Sequence, residues 1–572
     1  MIMTVCKKIF AVSLACALLA ANVYAQDDWG SDDSSVEETS EPTFWDRFKI
    51  SGDANLAGRA YVGKYVENKA VEGADTPVYA IPKLKLGFDY EGNATKFSSK
   101  LRFDEQTLRY DNEMILDEFS ADLFVGNWVL SAGKMKVVWG KGDKLHVLDN
   151  FNSNNYYDFL VPDYLDRRNS EYMFRAQYNS PLGFRFEAIY TPIMHGDTYA
   201  SKGPWKPSKV DTLTKKVTAI KTSQALYAAG CGFNEDSLTP HTNIRYGTDG
   251  GSNFWINYGN GSLNQTSLGV LSQVSSFSAD DLYPNTNSLR YGQFGGYFNF
   301  TLGLFDFGVS YYNGRYKSVS ANGQAYADSQ ANIGAALQAY SGYMQAYAQY
   351  TAAGQAAAAA AALASAQAAL NNGPKYYGDI TLKYDELQSF GLDMQTALGP
   401  FTIRAEGVYN MTKDFDGSDP WTRNNSIGYL FGFDVGLPIH NVTLNVQGTG
   451  TYILGGTSNV KAFIKGYGYK EIVGSYTNDV DYDPAGYHTN HKIVMQLQDT
   501  FYYEKITATV KAIYGIEHYD LIVMPEVSFK VRDGWKASAS GMIIHCFDKN
   551  EYSEFYGWLD NSFVQLAVNY TF

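Results

Sequence analysis

Outside its first 25 residues, the sequence has no apolar run near the roughly 20 residues that a membrane-spanning helix needs. It also lacks an excess of basic residues. Lys and Arg total 46 against 60 Asp and Glu, which gives a net charge of −14 and a pI of about 5.1. Proteins that bind nucleic acids usually carry a basic surface, so this acidic balance argues against that class.

Cysteine is scarce as well, with four residues in 572. Cys6 and Cys16 lie in the first 25 residues, and the remaining pair, Cys231 and Cys546, is too small for a disulfide scaffold. A single disulfide between these two stays open outside the cytoplasm. The eight histidines show no metal-binding spacing, and no nucleophile elbow, P-loop or dinucleotide-binding motif occurs. We therefore predict no enzymatic activity, no cofactor and no metal site.

The N-terminus predicts export. Lys7 and Lys8 precede an apolar run that ends at Ala20 and is too short to span a bilayer. These are the parts of a secretory signal peptide, which we place at 1–25. Eight acidic residues among Ser, Gly and Thr then occupy 26–46. Such a composition buries little apolar surface, so we predict an acidic periplasmic tail there.

Aromatic residues and glycine are abundant, with 45 Tyr, 33 Phe and 53 Gly. From about residue 50 onward, the sequence alternates apolar with polar or small side chains in recurring segments, which is the period of a strand with two different faces. The last segment shows this most clearly. Its two faces are Val564, Leu566, Val568, Tyr570 and Phe572 on one side and Gln565, Ala567, Asn569 and Thr571 on the other.

The lengths of the connections indicate the kind of sheet. About eighteen alternating segments can be counted, and every second connection is a tight turn, as at 126–127 and 533–534. The intervening connections are mostly longer. Short turns at one end and long loops at the other are typical of a transmembrane β-barrel, in which every backbone group finds a partner. We predict an all-β fold, an antiparallel barrel of about 18 strands over 47–572, located in the outer membrane of the cell.

A set of basic side chains enters the lumen when the apolar face of each strand is placed outward. The lumen-lining bases predicted on the first seven strands are Lys83, Lys85, Lys96, Lys100, Arg102, Lys134, Lys136, Arg175 and Arg185. Six acids share that wall. One interpretation is a set of ion pairs that holds the barrel in shape, and the other is a basic strip that guides anionic solutes. We prefer the first, because the sequence shows no ligand geometry.

The most distinctive segment lies at 134–170. Its motifs are Trp139-Gly140-Lys141-Gly142-Asp143, Leu148-Asp149, Asn152, Asp158-Phe159, Asp163 and Arg167-Arg168. Together with Tyr190-Thr191-Pro192, this pattern resembles an uncharacterised family of Gram-negative outer-membrane β-barrel proteins, grouped with porins and with transporters of hydrophobic compounds. The resemblance covers about 127–195 and implies a barrel without implying a substrate. The family usually has Pro after the loop Asn, where this chain has Ser153.

Residues 140–170 are predicted to leave the wall as a loop. Gly140 and Gly142 permit the bend, and two interpretations stay open: a corner that matters only for folding, or a loop tucked into the lumen as a constriction. We expect it to fold inward, because its aromatic side chains need burial. Asp149, Asp158 and Asp163 would then lie opposite the basic wall. The predicted constriction residues are Trp139, Gly140, Gly142, Asp143, Asp149, Asn152, Asp158 and Asp163.

The connection at 318–385 contains a low-complexity tract. Residues 329–374 carry no charge, and 356–362 is an unbroken alanine run. Alanine is the strongest helix former, so a helical hairpin broken near Gly342 or Gly354 is one interpretation. The other is a poorly ordered surface insertion, which is favoured because small side chains bury little area.

Three functions suit such a barrel. The first is a channel that passes small solutes through a polar lumen. The alternatives are a transporter of hydrophobic compounds, which the resemblance implies, and a surface adhesin that uses the long loops at 196–288 and 318–385. The expected partners are outer-membrane lipid, a small solute and the barrel-assembly machinery, whose C-terminal signal the end of the chain at Phe572 resembles. No nucleic acid is expected.

Overall fold

The computed structural model describes residues 44–62, 78–143, 145–207, 283–372, 378–417, 419, 421–454, 488–547 and 554–572. It also describes short pieces at 217, 220–221, 224, 244–246 and 254–256. The predicted signal peptide, most of the predicted acidic tail and Cys231 lie outside the described residues. Cys546 is buried.

Eighteen strands form the barrel, as the alternation predicts. They are β1 Phe48–Tyr61, β2 Val78–Glu91, β3 Thr95–Phe103, β4 Leu116–Val125, β5 Trp128–Met135, β6 Glu171–Asn179, β7 Arg185–Thr191, β8 Gln293–Leu302, β9 Phe305–Arg315, β10 Glu386–Leu398, β11 Phe401–Met411, β12 Ser426–Gly436, β13 Thr443–Ile453, β14 Thr489–Phe501, β15 Ile506–Gly515, β16 Asp520–Arg532, β17 Trp535–Cys546 and β18 Phe563–Thr571. Each strand pairs antiparallel with the strands before and after it, and β1 pairs with β18 to close the sheet.

The barrel closes where the chain ends. Leu56 of β1 lies opposite Val568 of β18, and two backbone hydrogen bonds of 2.9 and 3.0 Å join Gly52 to Phe572. The ring of Phe572 covers Gly52, where a Cβ atom would lie only 2.1 Å from the ring. The absence of a side chain at Gly52 therefore provides the space that the terminal aromatic residue occupies.

The two faces of the wall differ in polarity. Outward-facing residues are apolar and exposed, as for Leu56, Leu392 and Leu566, whose exposed fractions are 60, 63 and 69 %. Inward-facing positions hold polar and charged residues, including the buried Arg59 and Glu187. An apolar outer surface around a polar interior is the arrangement of a barrel that spans the outer membrane.

The connections differ at the two ends of the barrel. At the end where β1 begins, two-residue turns join strands such as β4 to β5 and β8 to β9. Gly126 and Gly303 lie in these turns with φ of +58° and +64°, a conformation that glycine adopts without steric cost. The long connections lie at the other end, as the sequence predicts.

One short helix precedes β1, and the other helices lie in the connections. They are α1 Phe44–Arg47, α2 Glu105–Arg109, α3 Gln324–Ala352 and α4 Ala356–Asn372, with 3₁₀ turns at Asn112–Ile115, Leu289–Tyr291 and Tyr556–Asn561. Short strand pairs that do not belong to the barrel sheet are Asn155–Tyr156 with Thr198–Tyr199, Ile244–Tyr246 with Phe254–Ile256, and Ser320–Asn322 with Thr381–Lys383. In the part of the chain that the structure describes, no helix is long and apolar enough to cross a membrane.

The alanine-rich connection forms a helical hairpin rather than a poorly ordered insertion. The helix α3 continues through Gly342, and the break falls at Gly354, whose φ is +70°. Three alanines of α4, Ala359, Ala362 and Ala366, are buried. Alanine contributes both the helix propensity and a side chain small enough for two helices to pack closely.

Candidate functional site in the barrel lumen

The connection between β5 and β6, residues 136–170, lies inside the barrel, and we call it the lumenal loop. It bonds to inward-facing side chains on widely separated strands: Glu187 on β7, Glu406 on β11 and Arg59 on β1. These contacts place the loop in the lumen, as its glycines and aromatic residues lead us to expect. Its role as a constriction stays a prediction.

Glu406 anchors the first half of the lumenal loop. Its carboxylate accepts hydrogen bonds from the backbone N–H groups of Gly142 and Val147 at 2.6 and 2.8 Å, and it lies 3.0 Å from His146 Nδ1. The Glu406 side chain is fully buried. Gly140 has φ of +102°, and a Cβ atom there would lie 2.3 Å from the same carboxylate. Glycine at 140 is therefore needed for the loop to lie against Glu406.

Trp139 attaches the loop to the adjoining wall. Its indole N–H donates to Glu187 at 2.9 Å, which satisfies the one polar group of a buried indole. Its ring packs against Phe151 and Tyr297 with centroid distances of 4.9 and 5.5 Å. Leu148 belongs to the same buried cluster, which draws its other members from β5 to β11. Burial of these rings holds the first half of the loop against that side of the barrel.

Asn152 ties the two ends of the loop together. Its side-chain oxygen accepts from the backbone N–H of Val137 at 2.8 Å, and its amide group donates to the carbonyls of Met135 and Asn169 at 3.0 and 2.8 Å. Ser153, at the position where the resembling family has Pro, is buried and accepts a hydrogen bond from the Asn169 side chain at 3.1 Å. Ser153 thus gives this chain a polar contact that proline could not make.

Asp149 closes the loop on itself. It pairs with Arg168 at 2.7 Å and accepts a hydrogen bond from the Tyr164 hydroxyl at 2.6 Å. Burial raises the pKa of the Asp149 carboxyl, although Arg168 and the Tyr164 hydrogen bond oppose the shift. This carboxylate therefore faces a base of its own loop and not the basic wall.

Asp158 joins the second half of the loop to the basic wall. Arg59 of β1 lies 2.6 and 3.1 Å from the two carboxylate oxygens, and Lys83 of β2 lies 3.5 Å away. Burial alone would raise the pKa of Asp158, but the two cations outweigh it and hold this pKa below its usual range. Asp158 is thus a charged contact between the loop and the wall, as the sequence predicts for this residue.

Two more loop carboxylates meet lysines of the wall at exposed positions. Asp166 binds Lys85 of β2 at 2.7 Å, with side chains that are 56 and 41 % exposed, and Asp163 binds Lys511 of β15. Exposed ion pairs contribute only about 0–1 kcal/mol each. These groups therefore hold the loop weakly and stay available to water and to a passing solute.

A cavity of about 430 Å³ lies between the second half of the loop and β1–β3. Its lining combines the cations Lys83 and Lys85 with the aromatic side chains of Tyr79, Tyr157 and Trp205. Within the described residues, the Tyr79 hydroxyl and the Trp205 indole N–H are buried without a hydrogen-bond partner. Both residues line the cavity, so it borders two donors that make no hydrogen bond within the described residues.

Two smaller cavities adjoin the loop elsewhere. One of about 360 Å³ separates Phe159 and Leu160 from β13–β15. The other, of about 290 Å³, lies between Lys141 and Arg185. Open space therefore remains beside the loop at these places as well.

The nine bases that we predict in the lumen differ in their partners. Lys134 is buried and donates to the carbonyls of Glu113 and Leu116 at 3.2 and 2.7 Å. Its ammonium group therefore binds the backbone at the start of β4. Six others bind carboxylates: Lys83 and Lys85 as above, Lys100 with Glu118, Arg102 with Asp104, Lys136 with Asp117, and Arg175 with Glu187. Among the described residues, Lys96 and Arg185 have no carboxylate within 4.0 Å.

The wall residues that hold the loop were not singled out as site residues from the sequence. Besides Glu406 and Glu187, Asp393 lies 3.6 Å from Lys141 Nζ, and Gln447 accepts from the backbone N–H of Leu145 at 3.1 Å. A signal was available, because alternation places Asp393 and Glu406 on the inward faces of β10 and β11. Nothing near them in the sequence indicates which loop they meet.

No family model and no curated protein matches this chain. Similar solved structures include OccAB4 of Acinetobacter baumannii, with 9 % identity and a TM-score of 0.40 over 92 % of this chain and 97 % of that one. A BenF-like porin from Pseudomonas fluorescens Pf-5 has 8 % identity and a TM-score of 0.37 over the same shares of the two chains. A mutant porin of Rh. blastica has 8 % identity and a TM-score of 0.30 over 92 and 100 %. No solute is assigned to this chain by relatives at this distance.

Proposed function

We propose that this protein is an outer-membrane channel that passes small polar solutes along β1–β4, beside the second half of the lumenal loop. The observation that carries this proposal is the open space that the loop leaves beside β1–β3. The first half of the loop packs on the inward faces of β6–β11, whereas a cavity of about 430 Å³ stays open against β1–β3. A solute that enters from the long-loop end meets this space first.

The inward side chains continue the route toward the short turns. Lys100 and Lys96 follow each other along β3, and Glu118 and Asp122 lie opposite them on β4. The Lys100 side chain is 55 % exposed even though it faces the lumen and binds Glu118. Charged side chains that stay hydrated are what a water-filled barrel interior presents to a solute.

Charges of both signs meet across the cavity. Asp158 and Asp166 of the loop face Arg59, Lys83 and Lys85 of the wall. Opposed charges across a narrow passage create a field that orients a charged or dipolar solute. Because Lys96 lies on this route and has no described carboxylate partner, we expect a modest preference for anions.

Planar-bilayer recording of the refolded protein tests the proposal. We expect ion-conducting steps with a small anion preference, and liposomes that contain the protein should swell in a small sugar such as arabinose. Heat-modifiable migration in gels provides the control that the barrel has folded. A folded barrel that neither conducts ions nor admits arabinose would contradict the proposal.

A further inference from the structure

Two prolines lie inside strands of the described barrel, Pro82 in β2 and Pro525 in β16. A proline has no N–H to contribute to a ladder, and in sheets it belongs where a strand has no partner on that side. Pro82 follows this rule. The pairing of β2 with β3 begins at Leu84, so the strand pairs at Pro82 with β1 alone.

Pro525 breaks the rule, because β16 has neighbours on both sides there. The ladder between β16 and β17 keeps one register on either side of Pro525 but lacks two successive residue pairs, Met524–Met542 and Pro525–Gly541. On the outer face, Gly541 offers no side chain to bridge the strands opposite the exposed Pro525. Both missing pairs trace to one hydrogen bond, which Pro525 cannot donate to the carbonyl of Gly541. An unsatisfied carbonyl is costly at membrane depth, so the pairing of β16 with β17 is weakened at this point, which we call the seam.

The inner face of the wall at this seam is apolar. Ile522, Met542 and Ile544 have exposed fractions of 0, 1 and 4 %, in a cluster with Phe563 of β18 and Phe159 of the lumenal loop. The interior of a water-filled barrel is otherwise polar. Methionine is unbranched and flexible, and it adapts to ligands of different shape.

The cavity of about 360 Å³ adjoins this cluster. Phe159 and Phe555 belong to both the cluster and the cavity lining. Ile513, which also lines the cavity, lies opposite Ile522 in the pairing of β15 with β16. The opposite side of the cavity is charged, with Arg167, Lys492 and Glu554. An apolar molecule would therefore lie against the side formed by Phe159, Phe555 and Ile513, one strand away from the seam.

We propose that the seam between β16 and β17 at Pro525 is a lateral exit, through which small uncharged apolar molecules pass from this cavity into the bilayer. The apolar lining at Met542 and Ile522 excludes ions. An apolar molecule that leaves through the seam dissolves in the bilayer. This route goes beyond the polar route along β1–β4 and does not depend on it.

The first test uses N-phenylnaphthylamine, an uncharged aromatic probe that fluoresces when it enters lipid. Its uptake is measured in intact cells with and without the full-length protein. Pro525→Val restores the missing N–H, so the protein-dependent uptake should be lost. Pro82→Val is the matched control, because it adds an N–H where no ladder is broken, and it should leave the uptake unchanged.

A disulfide lock tests the same seam without changing Pro525. Val523→Cys with Ile543→Cys joins directly paired residues across the seam, and Val309→Cys with Leu392→Cys does so across the intact pairing of β9 with β10. The first lock should abolish uptake until dithiothreitol is added, with ion conductance unchanged, and the second should have no effect. Full uptake through the locked seam, or no uptake above that of cells without the protein, would overturn the proposal.

Discussion

On the side of the lumen wall that the loop covers, Glu406 and Glu187 are 4 and 1 % exposed and accept hydrogen bonds from backbone and indole N–H groups. On the side that it leaves open, the Lys85 and Lys100 side chains stay 41 and 55 % exposed and bind carboxylates. A hydrogen bond to a buried charge contributes about 1.5–3 kcal/mol, whereas an exposed ion pair contributes about 0–1 kcal/mol. The covered wall therefore fixes the loop, and the open wall keeps its charges free to act on a solute.

One contact of the open wall departs from this division. The Arg59 side chain is 3 % exposed and binds both oxygens of Asp158, so it resembles the anchors of the covered wall. It lies at the long-loop end of β1, where it sets one border of the cavity. The open wall thus combines one firm contact at the entrance with hydrated charges further along the route.

Removing the part of the loop between the two walls should have the largest effect. In a variant with 146–163 replaced by a short Gly-Ser linker, the barrel strands keep all their partners, so folding should persist while conductance rises severalfold. Single-channel recording measures the conductance, and heat-modifiable migration checks folding. If the variant folds and its conductance equals that of the intact protein, the loop is not the constriction. The difference between the two walls would then have no effect on conductance.

Weakening the covered wall should have the next largest effect. Glu406→Gln keeps the size of the side chain but removes the charge that binds Gly142 and Val147, at a cost of about 1.5–3 kcal/mol in the docking of the loop. We expect stronger current fluctuations and faster proteolysis within the loop.

The matched control is Glu526→Gln on β16, whose carboxylate is half exposed and binds the half-exposed Lys536. This substitution should change neither the current noise nor the proteolysis rate. Equal noise in the two variants would show that the buried hydrogen bonds of Glu406 do not hold the loop.

Reversing charges on the open wall should alter selectivity with little effect on stability. Lys83→Glu with Lys85→Glu places four negative charges, with Asp158 and Asp166, around the cavity, and the reversal potential in a salt gradient should shift toward cations. The shift should shrink as salt rises, because the screening length falls from about 10 Å at 0.1 M to about 3 Å at 1 M. Lys505→Glu, in the short turn after β14, is the control and should cause no shift. Unchanged selectivity at low salt would mean that the solute does not pass this wall.

The barrel could be predicted from the sequence because each strand carries its own signal. The alternation from Val564 to Phe572 and the turn at Gly534 are complete within a few residues, so no distant information is needed. The inward course of the loop was predictable for a similar reason, since Gly140, Gly142 and the aromatic residues that follow are local.

The partners of the loop were not predictable in this way. Gly142 and Glu406 are 264 residues apart, and they meet only because the barrel has closed. Lys134 shows the same limit, because alternation assigns it to the lumen, whereas the 3₁₀ turn Asn112–Ile115 brings backbone carbonyls to it. Which of the inward charges hold the loop and which stay hydrated depends on tertiary structure that a single strand does not encode.

The smallest effect should come from a titrating contact at the long-loop end of the covered wall. The buried Glu171, which begins β6, lies 2.7 Å from His195 Nδ1 and accepts the His195 backbone N–H at 3.0 Å. The Glu171 carboxylate raises the pKa of His195, and burial opposes it only in part. A histidine whose pKa is higher in the folded protein contributes stability that is fully present below its unfolded pKa of about 6.5 and is lost as pH rises through the folded value. The free energy of unfolding of the wild type should therefore exceed that of His195→Gln near pH 5.5, and the difference should diminish toward pH 9. The change is about 0–1 kcal/mol, because the imidazole is partly exposed. Denaturant titrations of both proteins measure it. A difference that is constant across this range would mean that the charge on His195 does not contribute to stability.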